Sequence, residues 1–216
     1  GVPEGGANLA LRPDPEHAER YGVVASDDGG VVVDLAGLAS AEPEGRIDRT
    51  THFTGIHALH RDALAGVPEG FACIVRTAYS ELTPARAIRG QRYDGPWLDA
   101  GDPAAYLQTN LDVLHRRVVL ALDPHARAAA WVDASGERHG EASRLEGVNV
   151  GGALWLGEGV AVEDGVALSD AVIGEGAKIR AGTSLQRAVV WDGVEVPKGD
   201  WRDVIFTAAG PLQVTS

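Results

Sequence analysis

The sequence predicts an α/β segment followed by a parallel β-helix built from hexapeptide repeats. Three observations predict it. Aliphatic residues recur at Leu156, Val162, Leu168, Ile173, Ile179, Leu185, Val190 and Val196, in steps of 6, 6, 5, 6, 6, 5 and 6. Glycine sits beside most of these steps, as at Gly157, Gly165, Gly174, Gly182, Gly193 and Gly199. The first half instead mixes short apolar runs, turn dipeptides and helical stretches. A six-residue period is too long for a helix and too long for simple strand alternation. It suits a coil in which each hexad is one short strand plus one corner. At about 18 residues per three-sided coil, residues 147–207 make about three coils. An up-and-down β meander would need paired turn dipeptides every 8–12 residues or so, and the sequence lacks them.

The elements of the first half follow in order. Leu9–Leu11 and Tyr21–Val24 are short apolar runs, and "DDGG" (Asp27–Gly30) is a hairpin turn signal before "VVVDL". Residues 36–50 are rich in Gly, Pro and charge and read as loop. "HFTGIHAL" (His52–Leu59) reads as a buried strand, "RDALAGV" as a short helix, "FACIVRTAYSEL" as helical or mixed, and "AIRGQRY" as a strand. Asp102 and Pro103 then start a helix, with Asp as N-cap and Pro at the first helical position, where its missing N–H costs nothing. Leu107, Leu111, Leu114 and Val118 lie on one face of it. The expected division is therefore 1–117, a connector over 118–146 with "DASGE" as a turn, the β-helix over 147–207, and a tail over 208–216.

Composition narrows the function classes. With 44% hydrophobic and 23% charged residues the chain is an ordinary globular one, and 216 residues suffice for one large or two small cores. A net charge of −12 argues against nucleic acid, which asks for a positive surface. No apolar stretch approaches the length of a membrane span, and no signal peptide is evident. The single cysteine, Cys73, forms no internal disulfide, reads as a small core residue, and fits a reducing, cytoplasmic compartment. The chain starts at Gly1 and contains no Met, so the expectation is a processed product or a fragment.

Several residues invite a functional reading beside a plain one. Gly22 follows Tyr21 at a strand start, as a turn glycine or as a point of close backbone approach. Thr54 and Gly55 place a hydroxyl and a bare backbone inside an apolar strand. A bulge, a tight helix contact or a ligand would each explain them. Asp99 lies between Trp97 and Gly101 as either a loop acid or a cation ligand. His52, His57 and His60 do not share a face, and His52 and His57 point opposite ways in a strand, so they read as ordinary strand or core histidines.

Four stretches taken in order, "RYGVVASDDGGVVV", "FTGIHALHRDALAGVPEGF", "GPWLDAGDPAAYLQTNLDVL" and "VIGEGAKIRAGTSLQRAVVWDGVEVPKGDWRDVIFT", resemble the second half of a sugar-1-phosphate nucleotidyltransferase. They are closest in flavour to the mannose-1-phosphate guanylyltransferases with a C-terminal left-handed β-helix. The resemblance covers residues 8–115 and 147–207. It implies that residues 1–117 belong to a partial Rossmann-like nucleotidyltransferase domain and that the repeats form a left-handed β-helix. It implies sugar contacts from Tyr21, Gly22, Thr54, Gly55 and Trp97, and Asp99 as one carboxylate on Mg²⁺. A sugar 1-phosphate and a nucleoside triphosphate would be substrates, giving an NDP-sugar (of the GDP-mannose type) and pyrophosphate. The family's Gly-rich phosphate loop and first metal aspartate are not in this sequence. They would come from a missing N-terminal half or a partner chain, and the chain alone should be inactive. Where the family often has Glu-Lys-Pro, this chain has "DLAGLA" (Asp34–Ala39). A regulatory or scaffold paralogue is the alternative. A hexapeptide-repeat acyltransferase fits less well, since none of the seven histidines lies in the repeats. Trp155, Trp191 and Trp201 fall outside the inward hexad set and suggest a homo-oligomer formed through the β-helix.

Overall fold

The computed structural model describes residues 1–13 and 20–215, so His17 lies outside them. The chain divides into two compact units, Gly1–Trp97 and Leu98–Ser216.

The first unit is a five-stranded sheet: β1 (Ala7–Pro13), β2 (Val23–Asp27), β3 (Val32–Leu35), β4 (Ile47–Leu59) and β5 (Ile88–Arg92), in the order β3-β2-β4-β1-β5. The expected partial Rossmann-like α/β domain is not what forms. Such a fold needs parallel strands crossed over by helices on both faces. Here β3–β2, β2–β4 and β4–β1 are all antiparallel, and only β1–β5 is parallel. Among the described residues of this unit the α-helix with defined ends is the five-residue α1 (Ala78–Leu82). The sheet also curls: Val31, just before β3, bridges Arg89 of β5, so the two ends of the strand order meet. The "DDGG" turn makes the β2–β3 hairpin, and Asp27 ties it. One side of the sheet buries Leu9, Leu11, Val24, Val32, Leu35 and Ile88 with Tyr79 of α1. The Tyr79 hydroxyl meets His57 Nδ1 at 2.7 Å, and burial pushes its pKa up to about 12.

The second unit is a β-solenoid of about three turns. Its strands are β8 (Asn149–Val150), β9 (Leu154–Leu156), β10 (Ala161–Val162), β11 (Ala167–Ile173), β12 (Lys178–Ile179), β13 (Ser184–Val190), β14 (Glu195–Val196) and β15 (Asp200–Thr207). Parallel register stacks Leu168 on Leu185 on Trp201, and Leu156 on Ile173 on Val190 on Phe206. These steps are 17, 16, 17, 17 and 16 residues: steps of 6, 6 and 5 give 17, and the two steps onto β15 are one residue shorter. Seven of the eight hexad aliphatics are fully buried, and Val162 is packed against the same core. The outer positions of the three faces differ. One, over β10, β12 and β14, is charged, with Arg180 held between Glu163 and Glu195 of neighbouring coils at 2.7 Å each. A second carries small and polar residues such as Asn149, Ala167, Ser184 and Gln186.

The third face carries Trp155, Val172, Val189 and Ile205, and α2 (Pro103–Leu114) covers it with Leu107, Leu111 and Leu114. The apolar stripe read in the sequence thus docks on the solenoid. That is why the unit boundary falls after Trp97 rather than near residue 117. The Asp102 carboxylate caps α2 by accepting the Ala105 N–H at 2.8 Å, with Pro103 at the first turn. At its far end His115 Nε2 lies 3.0 Å from Asp170 on a coil corner. The connector is not merely polar linker. It forms the hairpin β6 (Ala130–Val132)–β7 (Arg138–Gly140), which extends the solenoid sheet by antiparallel pairing of β6 with β9. The tail likewise folds back as β16 (Gly210–Gln213) against β15.

The tryptophans offered as an interface separate into three cases. Trp155 lies under α2 and donates Nε1–H to the Pro124 carbonyl at 3.0 Å. Trp201 is in the inward register after all, edge-on to Phe206 with ring centroids 5.1 Å apart. Only Trp191 keeps a broadly exposed ring, at 47%. Cys73, expected in the core, is exposed. Among the described residues no helix is long and apolar enough to cross a membrane, which says nothing of a β-barrel.

Candidate functional site

The first unit brings four of the five proposed sugar contacts to one place, around an irregularity in β4. Leu9 of β1 pairs with His57, and Leu11 with Phe53. Two steps along β1 therefore face four along β4, and Thr54, Gly55 and Ile56 bulge opposite Ala10. A bulge leaves backbone groups unpaired and needs a residue that tolerates an unusual conformation. Gly55 supplies it, with φ of +83°. Thr54 supplies the hydrogen bonds: Oγ1 donates to the Ala10 carbonyl at 2.9 Å and accepts the Ile56 N–H at 3.3 Å. The Thr54 carbonyl accepts the Trp97 indole N–H at 3.0 Å. The Thr-Gly pair is thus a bulge, one of the plain explanations open to it, and the bulge holds Trp97.

Trp97 is carried in by a tightly folded segment. Tyr93 N–H donates to the Leu11 carbonyl at 2.8 Å, and its hydroxyl donates to the Pro96 carbonyl at 3.1 Å. Arg12 donates to the Gly95 carbonyl. Gly95 leaves room for this arrangement, because a Cβ there would lie 2.4 Å from the Tyr93 ring and would push it aside. The Trp97 ring then meets His52 edge-on, with centroids 4.9 Å apart, and Tyr21 edge-on at 5.5 Å. Tyr21 stacks on His52 at 5.7 Å, and Arg20 lies 5.2 Å above the Tyr21 ring.

The result is a corner of three rings beside a bulge. His52 is fully buried, while Tyr21 and Trp97 keep part of their surface exposed. Ile56 at the tip of the bulge is 60% exposed, and a Cβ built on Gly55 meets nothing within 4 Å. Open space therefore adjoins the bulge. Gly22 is explained differently: at φ of +90°, its Cβ would lie 2.7 Å from Ala36 Cβ, so the chain's own packing demands glycine there. His52 is the ring that sequence reasoning passed over as core. It is core, and it is also the ring against which the other two pack. Its position one residue before the Phe-Thr-Gly signal was the available hint.

Asp99, in the second unit, makes an Asx turn: Oδ1 accepts the Gly101 N–H at 3.0 Å, and its carbonyl accepts the Thr109 hydroxyl at 3.3 Å. Among the described residues it belongs to no group of three or more metal-ligating side chains. It therefore offers a cation one carboxylate, below what a dedicated protein site needs.

Compared with known protein families and with curated proteins, the chain matches none.

Proposed function

We propose that this chain is the sugar-binding part of a sugar-1-phosphate nucleotidyltransferase, of the GDP-mannose-forming type. The observation that carries the reading is the corner of Tyr21, His52 and Trp97 set on the Thr54–Gly55 bulge. An aromatic face accepts the C–H side of a pyranose, and a half-exposed Trp or Tyr offers area at little conformational cost. Bare backbone at Gly55 lets a ring approach where a side chain would stand. The four ordered sequence motifs point to the same chemistry.

In the reaction, a sugar-phosphate oxygen attacks the nucleotide α-phosphorus in line and pyrophosphate leaves. The oxygen–phosphorus bond to the sugar phosphate forms as the bond to pyrophosphate breaks. No protein nucleophile is needed, and catalysis is positioning plus charge neutralisation. This chain's residues would bind and orient the sugar phosphate. Mg²⁺ would supply charge neutralisation, with Asp99 as one ligand and the substrate phosphates and residues outside this sequence completing the shell. Phosphate-loop groups are likewise drawn from outside it, so the chain by itself should form essentially no NDP-sugar.

The test is calorimetric titration of the chain with mannose 1-phosphate, mannose and inorganic phosphate separately. The sugar phosphate should bind on the order of 1 mM or tighter, and better than either component. Trp97→Ala should weaken it at least tenfold. Gly55→Ala should do the same: the new methyl meets nothing of the chain, but a φ of +83° strains any side chain, so circular dichroism checks that the variant is folded. Equal binding by wild type and both variants, or no binding of any sugar phosphate, would exclude the site.

A further inference from the structure

The connector hairpin contains a cluster that the proposed reaction does not use. Asp133, Glu137 and His139 each bring a ligating atom into one group, all within 4.8 Å of one another. They flank the turn between β6 and β7. Asp133 Oδ1 is occupied, accepting the backbone N–H groups of Ser135 and Glu137 at 2.8 and 3.0 Å and the Ser135 hydroxyl at 2.6 Å. These bonds hold its pKa below the usual carboxylate range, with the Ser135 hydroxyl the largest contributor. They also leave Oδ2 aimed across the turn at His139.

The separate observation is His139 itself. Its ring stacks on Trp131 at 3.8 Å, nearly parallel at 14°, which fixes the plane of the imidazole. Its Nε2 is closed off from solvent and has no hydrogen-bond partner among the described residues. A buried polar atom without a partner calls for an explanation, and an ion is one of the standard ones. The distance supports it. Nε2 lies 3.7 Å from Asp133 Oδ2, too long for a hydrogen bond. Two ligands at about 2.0–2.1 Å on one tetrahedral ion stand about 3.4 Å apart, so a closure of a few tenths of an ångström is enough. Glu137 is exposed and free to swing in as the third ligand, leaving a fourth position for water.

We infer that Asp133, Glu137 and His139 form a binding site for a divalent transition-metal ion of the zinc class, clamping the β6–β7 hairpin. One imidazole and two carboxylates suit such an ion better than magnesium, which favours an all-oxygen shell. All three ligands lie in the hairpin, so the ion would hold β7 and the turn to β6, the strand that pairs with β9.

The experiment titrates the full chain with Zn²⁺ by calorimetry near neutral pH and repeats it on three variants. His139→Phe keeps the stack on Trp131 and removes the nitrogen. Asp133→Asn keeps the oxygen that accepts the turn's N–H groups and removes the charge. Glu137→Gln changes an exposed side chain only. Circular dichroism checks that each is folded. One Zn²⁺ per chain should bind below about 100 μM. His139→Phe and Asp133→Asn should each weaken it at least tenfold, and Glu137→Gln several-fold. Binding that survives both of the first two variants would place the zinc on other histidines. No binding at all would leave the pair as a plain His–Asp contact. Either result overturns the assignment.

Discussion

Replacing Asp27 with Asn should loosen the first unit far more than a turn substitution normally does. Asp27 ends β2 inside the "DDGG" turn, and its carboxylate has no exposed surface. Oδ1 accepts the N–H groups of Gly29 and Val31, each at 3.0 Å. Oδ2 accepts the Glu44 N–H at 3.3 Å and one Arg86 N–H at 2.7 Å. Burial pushes the Asp27 pKa up, but the Arg86 hydrogen bond and the backbone N–H groups outweigh it and leave the group below the ordinary carboxylate range. Asparagine would keep Oδ1 and turn Oδ2 into an N–H₂ facing two donors.

Breaking a buried ion pair from one side costs about 3–5 kcal/mol. The Arg86 side chain is 26% exposed and keeps a second carboxylate, Glu44, at 3.4 Å, so its charge is not stranded. The expected loss is about 2–3 kcal/mol. For a unit of about 100 residues that corresponds to about 10–20 °C in Tm. Calorimetric melting measures it, and hydrogen exchange read by mass spectrometry assigns it to β2, β3 and β4 rather than to the solenoid. The pH dependence follows from a depressed pKa. The unfolded group titrates near about 3.9. The stabilisation is therefore complete well above that value and disappears as pH falls through the lower folded pKa. The gap between wild type and variant should be full at neutral pH and shrink in acid. A variant within about 0.5 kcal/mol of wild type at pH 7, or a gap of the same size at pH 2 as at pH 7, would refute the reasoning.

Two further outcomes concern the solenoid. Gly174→Ala should cost at least about 2–3 kcal/mol in urea unfolding, because a Cβ there would lie 2.3 Å from Asp192 Oδ1 and 2.7 Å from the Asp192 amide nitrogen of the next coil. Leu185→Ala should cost about 2–5 kcal/mol in the same assay, since Leu185 is 1% exposed and sits in register between Leu168 and Trp201.

The solenoid was legible because its signal is local and repeated: a 6-6-5 spacing can be satisfied only by stacking coils. The N-cap of α2 and the "DDGG" hairpin were legible for a related reason, since a cap or a tight turn is decided within four residues. Strand direction in the first unit was not. "AIRGQRY" reads as a strand whichever neighbour it takes, and nothing within it records that β5 runs parallel to β1 while β4 runs antiparallel. Trp201 was misplaced because the hexad rule expects an aliphatic at an inward position. At the last coil no further coil lies beyond to limit its size, so a larger ring packs there against Phe206. The β6–β7 hairpin was hidden by its polar composition, which comes from the turn and the exposed strand. The candidate site residues came from the resemblance, whereas their geometry depends on the β4 bulge, which three residues cannot announce without the partner strand.

That bulge bears on what Thr54 and Gly55 are for. A positive φ and a satisfied hydroxyl would suffice to explain both residues if the bulge had no further consequence. It has one: the carbonyl it turns outward fixes the indole of Trp97, and Trp97 closes the corner with His52 and Tyr21. Regular pairing through Ala10 would direct that carbonyl into the ladder and leave the indole N–H to find another partner. Gly22 shows the contrast within the same unit, because its missing Cβ is filled by Ala36 and leads nowhere else. Two glycines with nearly the same backbone angle thus play unlike parts. One is demanded by packing, and the other faces open space beside three rings. The second is the one a ligand could use, and it could do so only together with Trp97, since a missing side chain alone offers nothing to bind.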